Sequence, residues 1–308
     1  WRCRHDLPAR QRPVRPLPWW GWLGLALGAG AWGLAWSRFP WLAPWQPFTF
    51  TPLWVAYILV VNGLVARRRG SAQPLAAPGY FLALWPLSAA FWWLFEYLNR
   101  FAGNWRYLGV EGFSPGLYFL FASLAFATVL PTVLATRDLV AASRWLAPFA
   151  CWQALSIRRP RLLAAGVLAL AAAGLAGLGC WPGQLFPLLW LAPLAILISL
   201  QVLAGQPTIL APLARGDWRP LLAAAAAAVV CGLFWEMWNV ASYAKWIYTV
   251  PYVDRFHLFE MPALGYAGYL PFGLECVAVA EHFLGPGPVL PDPGAPPASP
   301  APGQDLSR

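Results

Sequence analysis

Charge is scarce in this chain of 308 residues: Asp, Glu, Lys and Arg together make up 11% of it, and Lys245 is the only lysine among 21 basic residues. With 59% hydrophobic residues beside it, that scarcity argues against an ordinary soluble domain and fits a polytopic membrane protein. The five cysteines, Cys3, Cys151, Cys180, Cys231 and Cys276, form no CxxC pair and read as small apolar packers. His257 and His282 stand unpaired, and no His/Cys/Asp/Glu spacing reads as a metal site. A Gly-rich phosphate loop, a nucleophile elbow and a dinucleotide fingerprint are also missing. No metal and no cofactor are therefore expected. The net charge of +9 is assigned to topology and contact with anionic lipid, because no basic face with interleaved aromatics is laid out for nucleic acid.

What is present is a series of apolar stretches of about 20 residues, each enough to cross a bilayer. They fall at 18–37, 48–66, 80–98, 115–136, 162–180, 183–203, 220–239 and 261–284, which predicts eight transmembrane helices in an all-α fold. The first is read as a retained span rather than a signal peptide, since it is long, Trp-rich and lacks a small-x-small cleavage site. As the chain starts at Trp1 rather than Met, the completeness of its N-terminus is left open. Arg38, Arg100, Arg106, Lys245 and Arg255 are expected outside and all other Lys and Arg inside. Both termini are then cytoplasmic, in a bacterial inner membrane.

Two segments resemble each other. Residues 94–107 read LFEYLNRFAGNWRY and residues 234–250 read FWEMWNVASYAKWIYTV. One constant offset pairs Phe95 with Trp235, Glu96 with Glu236 and Asn99 with Asn239; a one-residue slip then pairs Trp105 with Trp246 and Tyr107 with Tyr248. Each copy of this E-x-x-N-x(5,6)-W-x-Y pattern follows an apolar span and precedes a Pro-x-Leu at Pro115 or Pro262. The repeat predicts two parallel four-helix halves, 18–136 and 161–284, joined by a cytoplasmic linker 137–160. A basic cytoplasmic tail, 1–17, precedes them, and a disordered Pro-rich tail, 285–308, follows.

Ionisable groups inside spans mark pathways or sites. Glu96 and Glu236 lie about one turn, or about 5 Å, inside the outer ends of their spans. Asn99 and Asn239, three residues on, project from the same faces. Each pair reads either as half of a site or as a device that fixes the following loop. Glu275 lies deeper, four residues after Pro271, which is expected to kink the last span. A carboxyl there is expected to be the neutral acid unless a cation is near. Lys245 either snorkels to headgroups or pairs with Glu236, Asp254 or Glu260. The candidate catalytic residues are thus Glu275, Glu236 and Glu260. Asn239, Lys245, Trp246, Tyr248, Trp235, Glu96, Asn99 and Trp105 are candidates for substrate binding. The 21 tryptophans exceed what interfacial belts require, and many flank the acids. Neutral acids beside aromatic faces suit protonation of a polyene, with π faces stabilising the carbocation.

On Glu96 and Glu236, the W-x-Y turns at Trp105–Tyr107 and Trp246–Tyr248 and the final Pro/Glu helix, the chain resembles the membrane carotenoid enzymes of the lycopene-cyclase-domain type. The resemblance covers mainly 91–135 and 231–284. It implies cofactor-independent acid–base chemistry on a lipid-soluble isoprenoid such as a carotenoid, with membrane lipids as the surroundings. The family's adjacent acids shortly after a proline are not reproduced: Pro271 and Glu275 are four apart and Cys276 follows. The segment FEMPALGYAGYLPFGLEC also resembles uncharacterised bacterial membrane proteins. Two other classes compete, a proton- or cation-coupled transporter or lipid-binding protein, and a structural subunit whose acids only pair between helices.

Overall fold

The computed structural model describes residues 15–291, so most of both expected tails lies outside it. Its helices, in chain order, are α1 (Trp19–Trp36), α2 (Phe50–Arg69), α3 (Gln73–Ala76), α4 (Pro78–Ala102), α5 (Pro115–Phe126), α6 (Val129–Ala141), α7 (Pro160–Gly177), α8 (Pro182–Leu185), α9 (Leu188–Leu203), α10 (Arg219–Val240) and α11 (Tyr269–Leu284). The structure is helical with almost no sheet. Every apolar stretch marked in the sequence contains a helix. Among the described residues six segments, 46–69, 78–102, 115–141, 160–177, 219–240 and 263–284, are long and apolar enough to cross a membrane. Of the other two expected spans, α9 has 16 residues, and α1 carries many tryptophans and glycines that add little hydropathy.

Local chemistry explains the ends and breaks. α5 is capped by Ser114, whose hydroxyl accepts the Leu117 N–H, with Pro115 in the first turn where no N–H is needed. The segment 115–141 is interrupted at Ala127 and Thr128. There Ser88 Oγ of α4 donates to Phe126 O (2.5 Å) and accepts from Leu130 N (2.9 Å), inserting itself into what would be an i to i+4 bond. α6 then runs on to Ala141, so the expected linker begins as helix, and residues 144–151 form a 3-10 turn.

Pro271 does not kink a long helix. Residues 263–268 form a 3-10 helix, α11 begins at Tyr269, and Pro271 sits in its first turn, where a missing N–H disturbs nothing. Glu275 follows in the next turn of a regular helix.

The core is built between α2, α4, α6, α10 and α11, with Trp54, Leu84, Phe95, Leu130, Leu134, Cys231 and Phe272 almost fully buried. The run of alanines in α10 lets its neighbours approach closely; Ala223, Ala224, Ala227 and Ala228 are all buried. On the α11 side, Gly273 meets the backbone at Ala224, with no room for a side chain. Close backbone approach of this kind maximises dispersion contacts where lipid removes the hydrophobic drive between helices. Cys231 and Cys276 are buried packers as expected, Cys180 is exposed, and Cys151 is in a disulfide, which the packer reading did not anticipate.

At the end of the bundle where α4 and α10 stop, the chain forms two small ribbons. Strand β1 (Trp105–Leu108) pairs antiparallel with β2 (Lys245–Tyr248), and β3 (His257–Leu258) pairs with β4 (Met261–Pro262). The β1–β2 register sets Trp105 opposite Tyr248 and Tyr107 opposite Trp246. The two W-x-Y segments, expected as loops, are therefore joined to each other across the chain. At the opposite end Arg69, Arg137 and Arg219 line a second, more polar cavity with Asp138, Asp217 and Glu281.

Candidate functional site

α4 reaches Gly103, whose left-handed backbone (φ +63°) closes the helix with its N–H on Asn99 O at 2.7 Å. The Asn99 amide then receives the emerging chain: Oδ1 accepts Asn104 N (2.8 Å) and Nδ2 donates to Trp105 O (2.8 Å). α10 repeats the device. Asn239 Oδ1 accepts Trp246 N (2.8 Å) and its Nδ2 donates to Trp246 O (2.7 Å). Both asparagines thus hold the first residues of a strand, which is the loop-fixing role that the E-x-x-N spacing allowed.

The carboxyls grip the same strands one turn deeper. Glu96 Oε1 accepts from Trp92 Nε1 (3.0 Å), Trp105 Nε1 (3.1 Å) and Tyr107 OH (2.6 Å). Glu236 is fully buried. Its Oε1 accepts from Tyr248 OH (2.7 Å) and from Tyr269 OH of α11 (2.8 Å), while Trp246 Nε1 turns onto Tyr248 OH (2.9 Å). Glu236 Oε2 is buried without a hydrogen-bond partner among the described residues. Outside the helices, burial and, after it, the adjacent carboxyl push the Tyr107 and Tyr248 hydroxyls well above the usual tyrosine range. Both stay protonated donors toward their acids.

Between the two corners lies a cavity of about 560 Å³, within the roughly 300–1,000 Å³ typical of small-molecule sites. Trp92, Trp105 and Tyr107 from the first corner and Trp235, Trp246 and Tyr248 from the second share its wall with Trp190, Tyr269 and Phe272. The rings pack edge to face and at tilts: Trp105 lies 5.3 Å from Trp190, and Trp235 stacks at 6.0 Å on Tyr269. The two copies of the motif thus enclose one space.

Comparison with protein-family models, with curated proteins and with solved structures finds no match. Nothing in those comparisons bears on the resemblance to the carotenoid enzymes, so geometry carries the functional argument.

The eleven candidate residues separate into three groups. Glu236, Asn239, Trp235, Trp246, Tyr248, Glu96, Asn99 and Trp105 belong to the two corners; Trp105, Trp235, Trp246 and Tyr248 line the cavity, and the two acids and two amides stand behind its wall. Lys245 lines the cavity as well, but its Nζ is held by Glu260 Oε1 (2.5 Å), with Val240 O at 3.4 Å. Glu260 is therefore the partner of Lys245, one of the three that the sequence allowed. Glu275 stands apart: it is almost fully buried in α11, is not part of the cavity wall, and its Oε2 has no partner among the described residues.

Sequence reasoning missed Tyr269 and Phe272, which open α11, as well as Trp190 and Asn104. Tyr269 carries no local signal, because it reaches Glu236 only once α11 packs on α10. The W-x-Y pattern did contain Tyr107, but nothing in it showed the hydroxyl turning back onto Glu96.

Proposed function

We propose that this is an integral inner-membrane protein that takes an isoprenoid-class lipid into the aromatic cavity and carries out acid–base chemistry on it with Glu236. The observation that carries the reading is the cavity wall: aromatic faces from both corners surround one space, and a fully buried carboxyl stands immediately behind Tyr248 and Tyr269. Because Glu236 stands behind the wall, its proton passes to the Tyr248 or Tyr269 hydroxyl as that hydroxyl gives its own proton to a double bond, which leaves a carboxylate and a carbocation that the π faces stabilise. Return of a proton from a neighbouring carbon restores the acid, so no cofactor is consumed. Glu236 is preferred to Glu275 as the acid because it is hydrogen-bonded to two residues of the wall, Tyr248 and Tyr269.

The proposed architecture is eight spans in two parallel halves, with α1 and α9 crossing the bilayer beside the six longer segments and both termini cytoplasmic. The matching amide and carboxyl contacts of the two corners support it, as does the pairing of β1 with β2 on one side. Expression in a lycopene-accumulating host tests the activity. The expected result is a changed pigment profile for the wild type and for Glu275→Gln, and an unchanged one for Glu236→Gln. A wild-type protein that is folded in the membrane yet leaves the pigments unchanged sinks the carotenoid reading.

One observation favours a second reading, a proton- or cation-coupled transporter. The unpartnered Glu275 lies in a core that also holds a hydrogen-bonded set, with Tyr57 OH 3.1 Å from Thr136 Oγ1 and Cys231 Sγ 3.4 Å from the same oxygen. Gradient-driven uptake in proteoliposomes that is lost in Glu275→Gln would establish it in place of the enzyme.

A further inference from the structure

One residue of the cavity wall carries a buried polar atom without a hydrogen-bond partner among the described residues. Asn104 is 1% exposed and lines the cavity just before β1. Its backbone is fully used, with N on Asn99 Oδ1 (2.8 Å) and O accepting Thr249 N (2.9 Å). Its Nδ2 reaches Phe186 O at 3.5 Å, while Oδ1 is buried without a hydrogen-bond partner among the described residues. A buried amide oxygen in that state is about 1–3 kcal/mol short of a satisfied one, and a ligand that donates to it recovers that difference.

Several other polar groups of the wall are already engaged. Tyr107, Tyr248 and Tyr269 donate to Glu96 or Glu236, Trp105 donates to Glu96, and Lys245 is held by Glu260. From Asn104 the wall follows the ribbon to Lys245, which stands opposite Leu108. Four residues of strand make that about 13 Å, and Trp105, Tyr107, Trp246 and Tyr248 line it throughout.

We propose that the ligand is an isoprenoid alcohol rather than a hydrocarbon, its hydroxyl donating to Asn104 Oδ1 and its apolar chain lying along the β1–β2 ribbon. This rests on the reading of the cavity as a lipid site and adds the polar end that the site selects. A hydrocarbon of the same skeleton leaves Oδ1 unsatisfied and binds more weakly by the hydrogen bond alone, about tenfold.

The test is titration of the full chain in detergent with farnesol and with farnesene, followed by tryptophan fluorescence, since five tryptophans line the cavity. Wild type is expected to bind farnesol about tenfold more tightly than farnesene. Asn104→Leu should bind the two equally, through weaker farnesol binding, and Asn104→Asp, which keeps an acceptor, should retain the preference. Equal binding of both by wild type, or an undiminished preference in Asn104→Leu, overturns the proposal while leaving the lipid site standing. If wild type binds neither, the lipid reading itself fails and this inference with it. Should Asn104→Leu not fold, Asn104→Asp decides: a retained preference supports the proposal and a lost one overturns it.

Discussion

The corners built on Glu96 and Glu236 make the same grip with donors drawn from different places. Four residues before the acid, the first corner has Trp92, whose indole donates to Glu96 from within the same helix. The second has Gly232 at that position, and the space left is filled by the Tyr269 ring, against which any Cβ on Gly232 would collide. The missing indole donor is replaced by Tyr269 OH from α11. One acid thus ties α4 to β1 alone, while the other ties α10 to β2 and α11 together. A tryptophan-to-glycine difference turns a local contact into a three-element junction beside the cavity.

The largest expected effect comes from removing the shared amide. Asn239→Leu leaves the half-buried N–H and C=O of Trp246 unpaired and is expected to lower stability by about 3 kcal/mol, and Asn99→Leu, whose own amide is less buried, by about 2 kcal/mol. Thermal unfolding in detergent measures both, and equal or reversed losses would end the claim that the second corner is the tighter one. Next is Gly232→Ala, which pushes Tyr269 off α10, with an expected loss of about 2 kcal/mol. In a double-mutant cycle with Tyr269→Phe the two changes should be non-additive by about 1 kcal/mol, whereas full additivity would show that Gly232 does not act through that ring. Trp92→Phe keeps the ring and removes one of three donors to Glu96, so a loss near 1 kcal/mol is expected, with Glu236 undisturbed. A change in lipid binding as large as that from Tyr269→Phe would contradict the asymmetry.

The smallest effect is in pH. The folded Tyr107 and Tyr248 hydroxyls lie above the unfolded value of about 10. Their contribution to stability is therefore fully present below about pH 10 and is lost as pH rises through the folded values. Tyrosinate absorbance should show no step near pH 10 that disappears in Tyr248→Phe or Tyr107→Phe. Such a step in one variant alone would mean that its corner is open to water.

Much of this was legible along the chain, because helices are local. Three-residue spacing puts Glu96 over Asn99 and Glu236 over Asn239 whatever surrounds them, and apolar length alone marked where helices form. The pairing of Trp105 with Tyr248 was not legible, since strand register depends on partners far apart in sequence. Pro271 misled for a related reason: a proline kinks a helix only if the helix has already begun, and here it starts two residues earlier. Lys245 had three acids within reach in sequence, and folding chose Glu260.

What the order of residues settled is the set of helices, the repeated acid–amide spacing and the scarcity of charge, all consequences of short-range geometry and composition. Folding settled which groups meet. Tyr269 found Glu236 because Gly232 leaves a gap, Glu275 was left apart from the cavity, and two distant W-x-Y segments closed around one space. Contacts of that kind follow from packing between helices, and no local pattern specifies them.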